Sequence, residues 1–374
     1  MKKKKIGIIL NAGFTNNISG GDIHVMNLVN ALSKIHNVTV IYPESTEVQK
    51  PLKESLAKKI IIKERKIILT KKDMIKSYFY RAIRTIEILK EKDFDAIITS
   101  NNSFCDILPL PFLSKKTKII NYIFHVIPLR KGKNIGEKIS NLLSKIQEKI
   151  TFKIIEKKSD LILTCNNLEK KKIKKIIKNV EIDMAHIGAN LKKLDKINIS
   201  KKKNTALFIG RLWKQKGVYD LIKIMKKIVW KNKEFKLYLI GESSEKQKII
   251  DEIKKEKLEK NMFILGYVNS NELIKKLKET EFFFFPSYEE GFGIVIVEAL
   301  YSRSKVICYK LPHYKEFFKD FPEYVEKRDI ESFVKKLKIK KDLKNQKEFV
   351  KKYEYEKRIK EDIKLIENLI KKKN

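Results

Sequence analysis

The chain is short of several things, and each shortage removes a class of protein. Its three cysteines, Cys105, Cys165 and Cys308, stand far apart and form no CxxC pair. That excludes a disulfide-stapled scaffold and any Cys/His cluster with metal spacing, and a reducing, cytoplasmic compartment fits. Nowhere does an apolar run approach the roughly 18 residues of a membrane-spanning helix. The basic start MKKKKIGIILNAGF has an apolar core, Ile6 to Leu10, that is too short for a secretory leader and is ended by Asn11. A first β-strand explains it better, so the expectation is a soluble protein, at most peripheral to a membrane. Acids are scarce as well: 46 Asp+Glu face 84 Lys+Arg, a formal net charge of +38. So basic a balance suits phosphate, nucleic acid or anionic lipid. The excess is mostly lysine spread along the whole chain, alongside much Ile and Asn and little Gly, as an A- and T-rich genome also produces, and it reads mainly as solvated surface.

What is present points to packed cores. Hydrophobic residues make up 43% of 374 residues, too many for disorder, and at roughly 100–200 residues per domain two domains are expected. Short apolar runs alternate with amphipathic stretches in two series. In the first half the strands are expected at 5–10, 38–42, 95–100, 118–124 and 161–165, with helices at 22–33, 75–90 and 137–157. In the second half strands are expected at 205–210, 236–241, 262–266, 281–286 and 305–309, with helices at 218–229, 245–257, 271–279 and 293–301. Strands apolar throughout are buried on both faces, which implies parallel sheets covered by helices and βαβ crossovers. The expected fold is therefore α/β, with two doubly wound domains joined through the lysine-rich stretch 191–204. The polar helical tail after Lys344 is long enough to reach back across both.

Ligands bind beyond the carboxyl ends of such strands, so the residues just after strands carry the information. After the first strand, Ser19-Gly20-Gly21-Asp22 opens an amphipathic helix. The glycines either let backbone N–H groups approach a phosphate or simply end a loop capped by Ser19 or Asp22. After 118–124 come His125 and, five residues on, Arg130. His125 is a hydrogen-bond donor to a ligand or a satisfied buried histidine; Arg130 is an anion contact or a surface cation. After 205–210 come Arg211 and Lys216, a fork and a point charge able to hold a diphosphate without a divalent metal. After 281–286 comes SYEEGFGIVIVEAL, in which Gly291 and Gly293 turn the chain into a helix, with Glu290 before it and Glu298 inside it. Two such carboxylates can each accept from a pair of sugar or ribose hydroxyls, while the helix start offers N–H groups to an anion. The plain alternative makes Glu289 and Glu290 partners of the helix dipole and Glu298 a surface acid.

These residues, in this order, resemble the GT4 family of retaining glycosyltransferases. SYEEGFGIVIVEAL (287–300) is similar to the family's E-x7-E signature, with Glu290 and Glu298 as the pair; Glu289 misses the spacing by one. GRLWKQKG (210–217) is similar to its phosphate-binding segment, SGGD (19–22) to its glycine loop and His125 to its cleft histidine. The resemblance covers nearly the whole chain. It implies a GT-B fold, two Rossmann-like domains facing a central cleft, with 1–195 and a returning tail 356–374 as the acceptor-side domain and 196–355 as the donor domain. It implies a UDP- or GDP-linked sugar as donor, and no other cofactor and no metal. Glu298 then binds the ribose, Arg211 and Lys216 the diphosphate with help from Gly20 and Gly21, Glu290 with Gly291, Phe292 and Gly293 the transferred sugar, and Gly266, Tyr267 and Val268 lie by the base. His125, Arg211, Lys216 and Glu290 are the expected catalytic group. Attack comes from the front face, and the leaving phosphate takes the acceptor's proton. The expected acceptor is a glycan or a lipid-linked molecule, as in cell-surface polysaccharide or glycolipid synthesis.

The chain departs from the family pattern after Glu298. Arg303 occupies its glycine position, Lys305 its proline position, and LPHYKEF (311–317) replaces a glycine pair. Rival readings are a nucleotide-sugar epimerase or phosphorylase on the same scaffold, against which Arg211, Lys216 and the glutamate pair argue, and a basic nucleic-acid-binding protein. The last has charge alone in its favour, with no zinc spacing, RNA-binding aromatic motif or basic arm, so no nucleic-acid partner is expected. Residues 71–92 mix cations with Tyr78, Phe79 and Tyr80 and fit either an ordinary packed helix or an interfacial one at the inner face of the cell membrane.

Overall fold

The computed structural model describes residues 2–12, 20–44, 50–63, 71–126, 135–339 and 343–372; Ser19 and Arg130 lie outside them. The chain divides into two compact units, Met1–His186 with Ile359–Asn374, and Ile187–Arg358. The second unit is therefore one continuous stretch, and the first is made of two.

The first unit runs β1 (Lys5–Ile9), α1 (Gly20–Ser33), β2 (Asn37–Pro43), α2 (Lys50–Lys53), β3 (Lys58–Ile62), α3 (Lys71–Lys90), β4 (Ala96–Thr99), α4 (Phe104–Ile107), β5 (Lys118–Ile123), α5 (Ile135–Lys158), β6 (Leu161–Thr164), α6 (Asn167–Ile176) and β7 (Glu181–Met184). Its sheet has the order β3-β2-β1-β4-β5-β6-β7, and the strands pair in parallel. The chain builds outward from β1 in one direction, then returns to β4 and builds in the other, so the order reverses between β1 and β4. Strands such as AIIT of β4 and LILT of β6 are buried throughout, because helices cover both faces.

The second unit runs β8 (Lys202–Ile209), α7 (Val218–Lys231), β9 (Lys236–Ile240), α8 (Lys246–Lys255), β10 (Met262–Gly266), α9 (Ser270–Glu279), β11 (Thr280–Phe285), α10 (Ile294–Tyr301), β12 (Lys305–Tyr309), α11 (Tyr314–Phe318), β13 (Glu323–Val325), α12 (Ile330–Lys335) and α13 (Lys344–Val350). Its parallel sheet has the order β10-β9-β8-β11-β12-β13, with the reversal between β8 and β11. The four consecutive phenylalanines Phe282–Phe285 make β11 a central strand, each at most 6% exposed.

The final helix α14 (Tyr355–Lys371) buries Ile359, Asp362, Ile366 and Leu369, a row at helical spacing. From Ile359 onward it belongs to the first unit. Asp362 is fully buried there. Its Oδ2 accepts from His24 Nε2 at 2.8 Å and from the Tyr122 hydroxyl at 2.9 Å. Its Oδ1 accepts from the His186 backbone N–H and Nδ1, both at 2.7 Å. Burial alone would raise this carboxyl, but the hydrogen bonds from His186 and His24 outweigh it and hold it well below the usual carboxylate range. The buried Nδ1 of His24 has no partner among the described residues, and Nε2 is the ring nitrogen that faces Asp362. Nearby, His36 Nε2 lies 3.1 Å from Glu367 of the same helix.

Two lysines depart from the expectation of a solvated surface. Lys201 Nζ donates to Thr280 O at 2.7 Å, Ser304 Oγ at 2.8 Å and Leu277 O at 3.2 Å. Lys305, 7% exposed, donates to Leu337 O at 2.9 Å and to Ile339 O. The family's proline position is thus filled by a side chain that ties β12 to the segment after α12. Arg303 has φ +57°, a left-handed turn after α10 that glycine adopts with little strain. Arg303→Gly is therefore expected to stabilise the protein by ~0.5–1 kcal/mol, after the extra chain entropy of glycine is subtracted; a denaturant midpoint that falls instead would contradict this.

Candidate functional site

The second unit gathers most of the expected residues at the carboxyl edge of its sheet, after β8 and β11, the two strands that flank the reversal. That edge is where open α/β sheets bind ligands. The loop after β8 begins with Gly210 and Arg211. The Arg211 guanidinium lies 4.2 Å from the centre of the Trp213 ring, a cation–π contact that orients it. The loop ends at Gly217, whose φ of +77° starts α7.

The loop after β11 closes directly on this one. Lys216 Nζ pairs with the Glu290 carboxylate and also donates to Glu289 O at 3.2 Å. Tyr288 N–H donates to Gln215 O at 2.9 Å. A Cβ at Gly217 would fall 2.1 Å from Pro286 O, so only glycine permits this approach. Beneath the two loops, the Tyr288 and Tyr309 hydroxyls both donate to Asp220 in the first turn of α7, Tyr309 at 2.7 Å. Glu290 and Lys216, expected to act on different parts of a ligand, are paired with each other. Glu289 contributes its carbonyl to the lysine.

Gly293, φ +92°, turns the chain into α10. The first N–H groups of a helix have no acceptor within it. Phe292 anchors the turn from below, its ring 4.9 Å from that of Phe317 and 5.3 Å from that of Tyr353. Gly291 is buried beside it. Glu298, partly exposed, lies on α10 near Lys193. Burial pushes its carboxyl up to about 7, and Lys193 offsets only part of the rise.

Gly266 ends β10, at one side of the sheet, and Tyr267 and Val268 follow it. Glu242 ties them to the Arg211 loop: its Oε1 accepts from Tyr267 N–H and its backbone oxygen accepts from Leu212 N–H, both at 2.9 Å. Gly241 closes the same knot, since a Cβ there would fall 2.0 Å from Gly210 O. Tyr267 itself is 83% exposed, an open ring next to the strand ends. Glu242, Asp220, Tyr288 and Tyr309 escaped the sequence reading. A glutamate directly after the Gly241 that ends β9, in the place Arg211 holds after β8, was a signal that could have found Glu242.

The first unit holds Gly20, Gly21 and His125, and it brings them close together. Gly21 lies in the first turn of α1, and a Cβ there would fall 2.4 Å from the Phe124 ring. This glycine therefore has a packing role whatever else it does. His125 is the exposed residue next to Phe124. Its neighbours are fixed by buried groups: Cys165 Sγ donates to Phe124 O at 2.9 Å, and Val126 N–H donates to Glu169 at 2.8 Å. At the reversal point of this sheet, buried Arg81 donates to Asn11 O at 2.6 Å, and Asn11 N–H donates to Asp106 at 2.9 Å. Burial pushes the Asp106 carboxyl up to about 8.

Residues 189–360 match the family described as glycosyl transferases group 1. An uncharacterised glycosyltransferase of Methanocaldococcus jannaschii is 29% identical over 234 residues, 59% of this chain and 56% of that protein. The N-acetylgalactosamine-N,N'-diacetylbacillosaminyl-diphospho-undecaprenol 4-alpha-N-acetylgalactosaminyltransferase of Campylobacter jejuni is 31% identical over 180 residues, 46% of this chain and 47% of that protein. This chain thus spans about half the length of these relatives. A solved sucrose-phosphate synthase from Thermosynechococcus elongatus superposes with TM-score 0.77 at 16% identity, over 98% of this chain and 99% of that one. The fold is the GT-B type, two parallel-sheet Rossmann-like domains.

Proposed function

We propose that this chain, whose residues 189–360 match the group 1 glycosyl transferases, moves a hexose-type sugar with retention from a UDP- or GDP-linked donor to a glycan or lipid-linked acceptor. The observation that carries the reading is the pair of interlocked loops after β8 and β11. Arg211, Lys216, Glu290 and the turn at Gly291–Gly293 meet there around one strand reversal, with Glu298 within α10.

In this reading Arg211 holds the diphosphate through two parallel hydrogen bonds. Lys216 leaves Glu290 and turns to the phosphates, and Glu290 is released to accept from the sugar's hydroxyls. The bond from the anomeric carbon to the diphosphate oxygen breaks, and the acceptor's hydroxyl oxygen bonds to that carbon on the same face. The hydroxyl proton passes to the departing phosphate oxygen. Preorganised charge stabilises the leaving group, which is the part a divalent metal would otherwise play. Gly20 and Gly21 add amides to the phosphates, His125 donates to the transferred sugar, Tyr267 and Val268 flank the base, and Glu298 accepts from the ribose. The acceptor is met at the inner face of the cell membrane.

A thermal-shift screen against nucleotide sugars tests the donor class, since a ligand bound only by the folded state raises the melting temperature. No shift with any UDP- or GDP-sugar would refute the reading. Release of free nucleoside diphosphate only when acceptor is present separates a transferase from an epimerase.

Glu298 adds a pH signature. With its carboxyl at about 7, it is mostly protonated under mildly acidic conditions and accepts poorly from two hydroxyls at once. Above that range both oxygens accept. Affinity for a nucleotide-diphosphate sugar is therefore expected to rise by up to ~tenfold between about pH 6 and 8. Glu298→Gln flattens the profile, and a wild-type profile that is already flat would remove Glu298 from the ribose.

A further inference from the structure

We infer that one face of the first unit is built to lie on an anionic lipid surface, with α5 as its main contact. Ile139, Leu142, Leu143, Ile146 and Ile150 are 54, 61, 54, 48 and 43% exposed. Their spacing of three, four, seven and eleven residues places them on one side of the helix. The opposite side, with Glu148, Thr151, Phe152 and Ile155, is buried against the unit. Single exposed apolar residues are ordinary on a protein surface, but a contiguous row is not.

The row continues on neighbouring elements. On α3, Ile75, Phe79 and Ile83 are 47, 48 and 52% exposed at steps of four. The crossovers β3-α3-β4 and β5-α5-β6 run in the same direction along the sheet. Being right-handed, they put α3 and α5 on the same face. Between them lies α4, which packs against both; its Phe104 ring lies 4.8 Å from that of Phe79. Phe112, in the turn after α4, is 52% exposed, with Lys90 Nζ 5.7 Å from its ring centre. The exposed residues occupy the amino-terminal two-thirds of α3 and α5. Each helix starts from a strand's carboxyl end, so the apolar rows lie toward the sheet edge that carries Gly20 and His125.

Charge selects the occupant. Lys138, Lys149 and Lys153 are exposed along one flank of the α5 row, and exposed Lys157 continues its line beyond Ile150. Long lysine stems can lie along an apolar surface while their heads reach phosphate. An apolar strip edged with cations fits acyl chains below and anionic headgroups beside them. The chain's net charge of +38 adds to the attraction. No described helix is long and apolar enough to cross a membrane, so the contact is interfacial. The inference extends the acceptor part of the proposed function, and vesicle binding reads it without any sugar transfer.

The test is co-sedimentation of the full chain, at low salt, with vesicles of phosphatidylglycerol and phosphatidylethanolamine or of phosphatidylcholine alone. The protein is expected to pellet with the anionic vesicles and to bind the neutral ones at least ~tenfold more weakly. The triple variant Leu142→Gln, Leu143→Gln, Ile146→Gln should lose at least ~tenfold in binding to the anionic vesicles, and Lys149→Gln with Lys153→Gln should weaken it further. The control Trp230→Gln, at an 81% exposed position in the second unit, should bind like wild type. Unchanged melting temperature and nucleotide-sugar shift in the triple variant show that it folds and keep this test separate from that of the transferase. Wild type left in the supernatant overturns the inference, and so does a triple variant that binds normally. A wild-type dimer that ignores vesicles and becomes monomeric in the triple variant would make the face a self-interface instead.

Discussion

Arg211→Ala is expected to lower turnover by roughly a hundredfold or more, while Glu289→Ala stays within about twofold of wild type. In the proposed reading Arg211 meets the diphosphate where its charge develops, and its guanidinium already lies against the Trp213 ring. Preorganisation matters here, because a donor that need not move stabilises the leaving group at no further cost. Glu289 sits next to Glu290, yet it meets Lys216 through its backbone carbonyl, which alanine retains. Steady-state kinetics on the two variants, with a nucleotide sugar found by the thermal screen, decide the matter. Equal losses from both would mean that the two loops matter only as a fold. Lys216→Ala should sit between them: it removes the phosphate contact proposed for this lysine but also frees Glu290 from its ion pair.

Asp362→Ala should cost ~3–5 kcal/mol, the range for breaking a buried charged pair by removing one partner. His24, Tyr122 and His186 would each lose the acceptor they now share. The melting temperature should fall by roughly 10 °C, whereas Tyr122→Phe, which removes one donor and leaves the others satisfied, should cost only ~1 kcal/mol. The pH dependence has a definite sign. The Asp362 carboxyl is depressed in the folded state, so its contribution is full above the ordinary aspartate range and is lost only as pH falls through the folded value. The gap between wild type and variant should therefore hold steady from neutral pH down to about 5 and close in stronger acid. A calorimetric difference below ~1 kcal/mol at neutral pH would show that the histidines find other partners.

Much of this was legible in the sequence because burial on both faces leaves an unmistakable mark. Runs such as EFFFFP and KIINYIF announce central strands, and the residues behind them announce a ligand edge. The strands that escaped are those where the mark fades. Three of the five residues of β3, KKIII, are exposed, β7 reads EIDM with only Ile182 buried, and β13 has three residues. Helix α6, NLEKKKIKKI, hides its two buried positions, Glu169 and Ile173, in a lysine run. At the site, residue types could be read but partnerships could not. Lys216 and Glu290 are 74 positions apart, and His24 and Asp362 are 338 apart. Nothing local in either segment specifies the other. The α5 row was equally invisible, since an apolar stripe on a helix normally faces inward and only the fold shows that this one does not.

The make-up of the first unit also has a consequence for synthesis. Its closing segment, Ile359–Asn374, is translated only after the whole of Ile187–Arg358. At ~5–20 residues per second, the first unit waits many seconds for Asp362, with the side chains of His24, Tyr122 and His186 already made and lacking their acceptor. The second unit, being continuous, needs no segment made after Arg358. A released chain truncated before Ile359 should thus carry a protease-resistant second unit beside a protease-sensitive first one, and supplying the segment Ile359–Asn374 in trans should restore protection of the first.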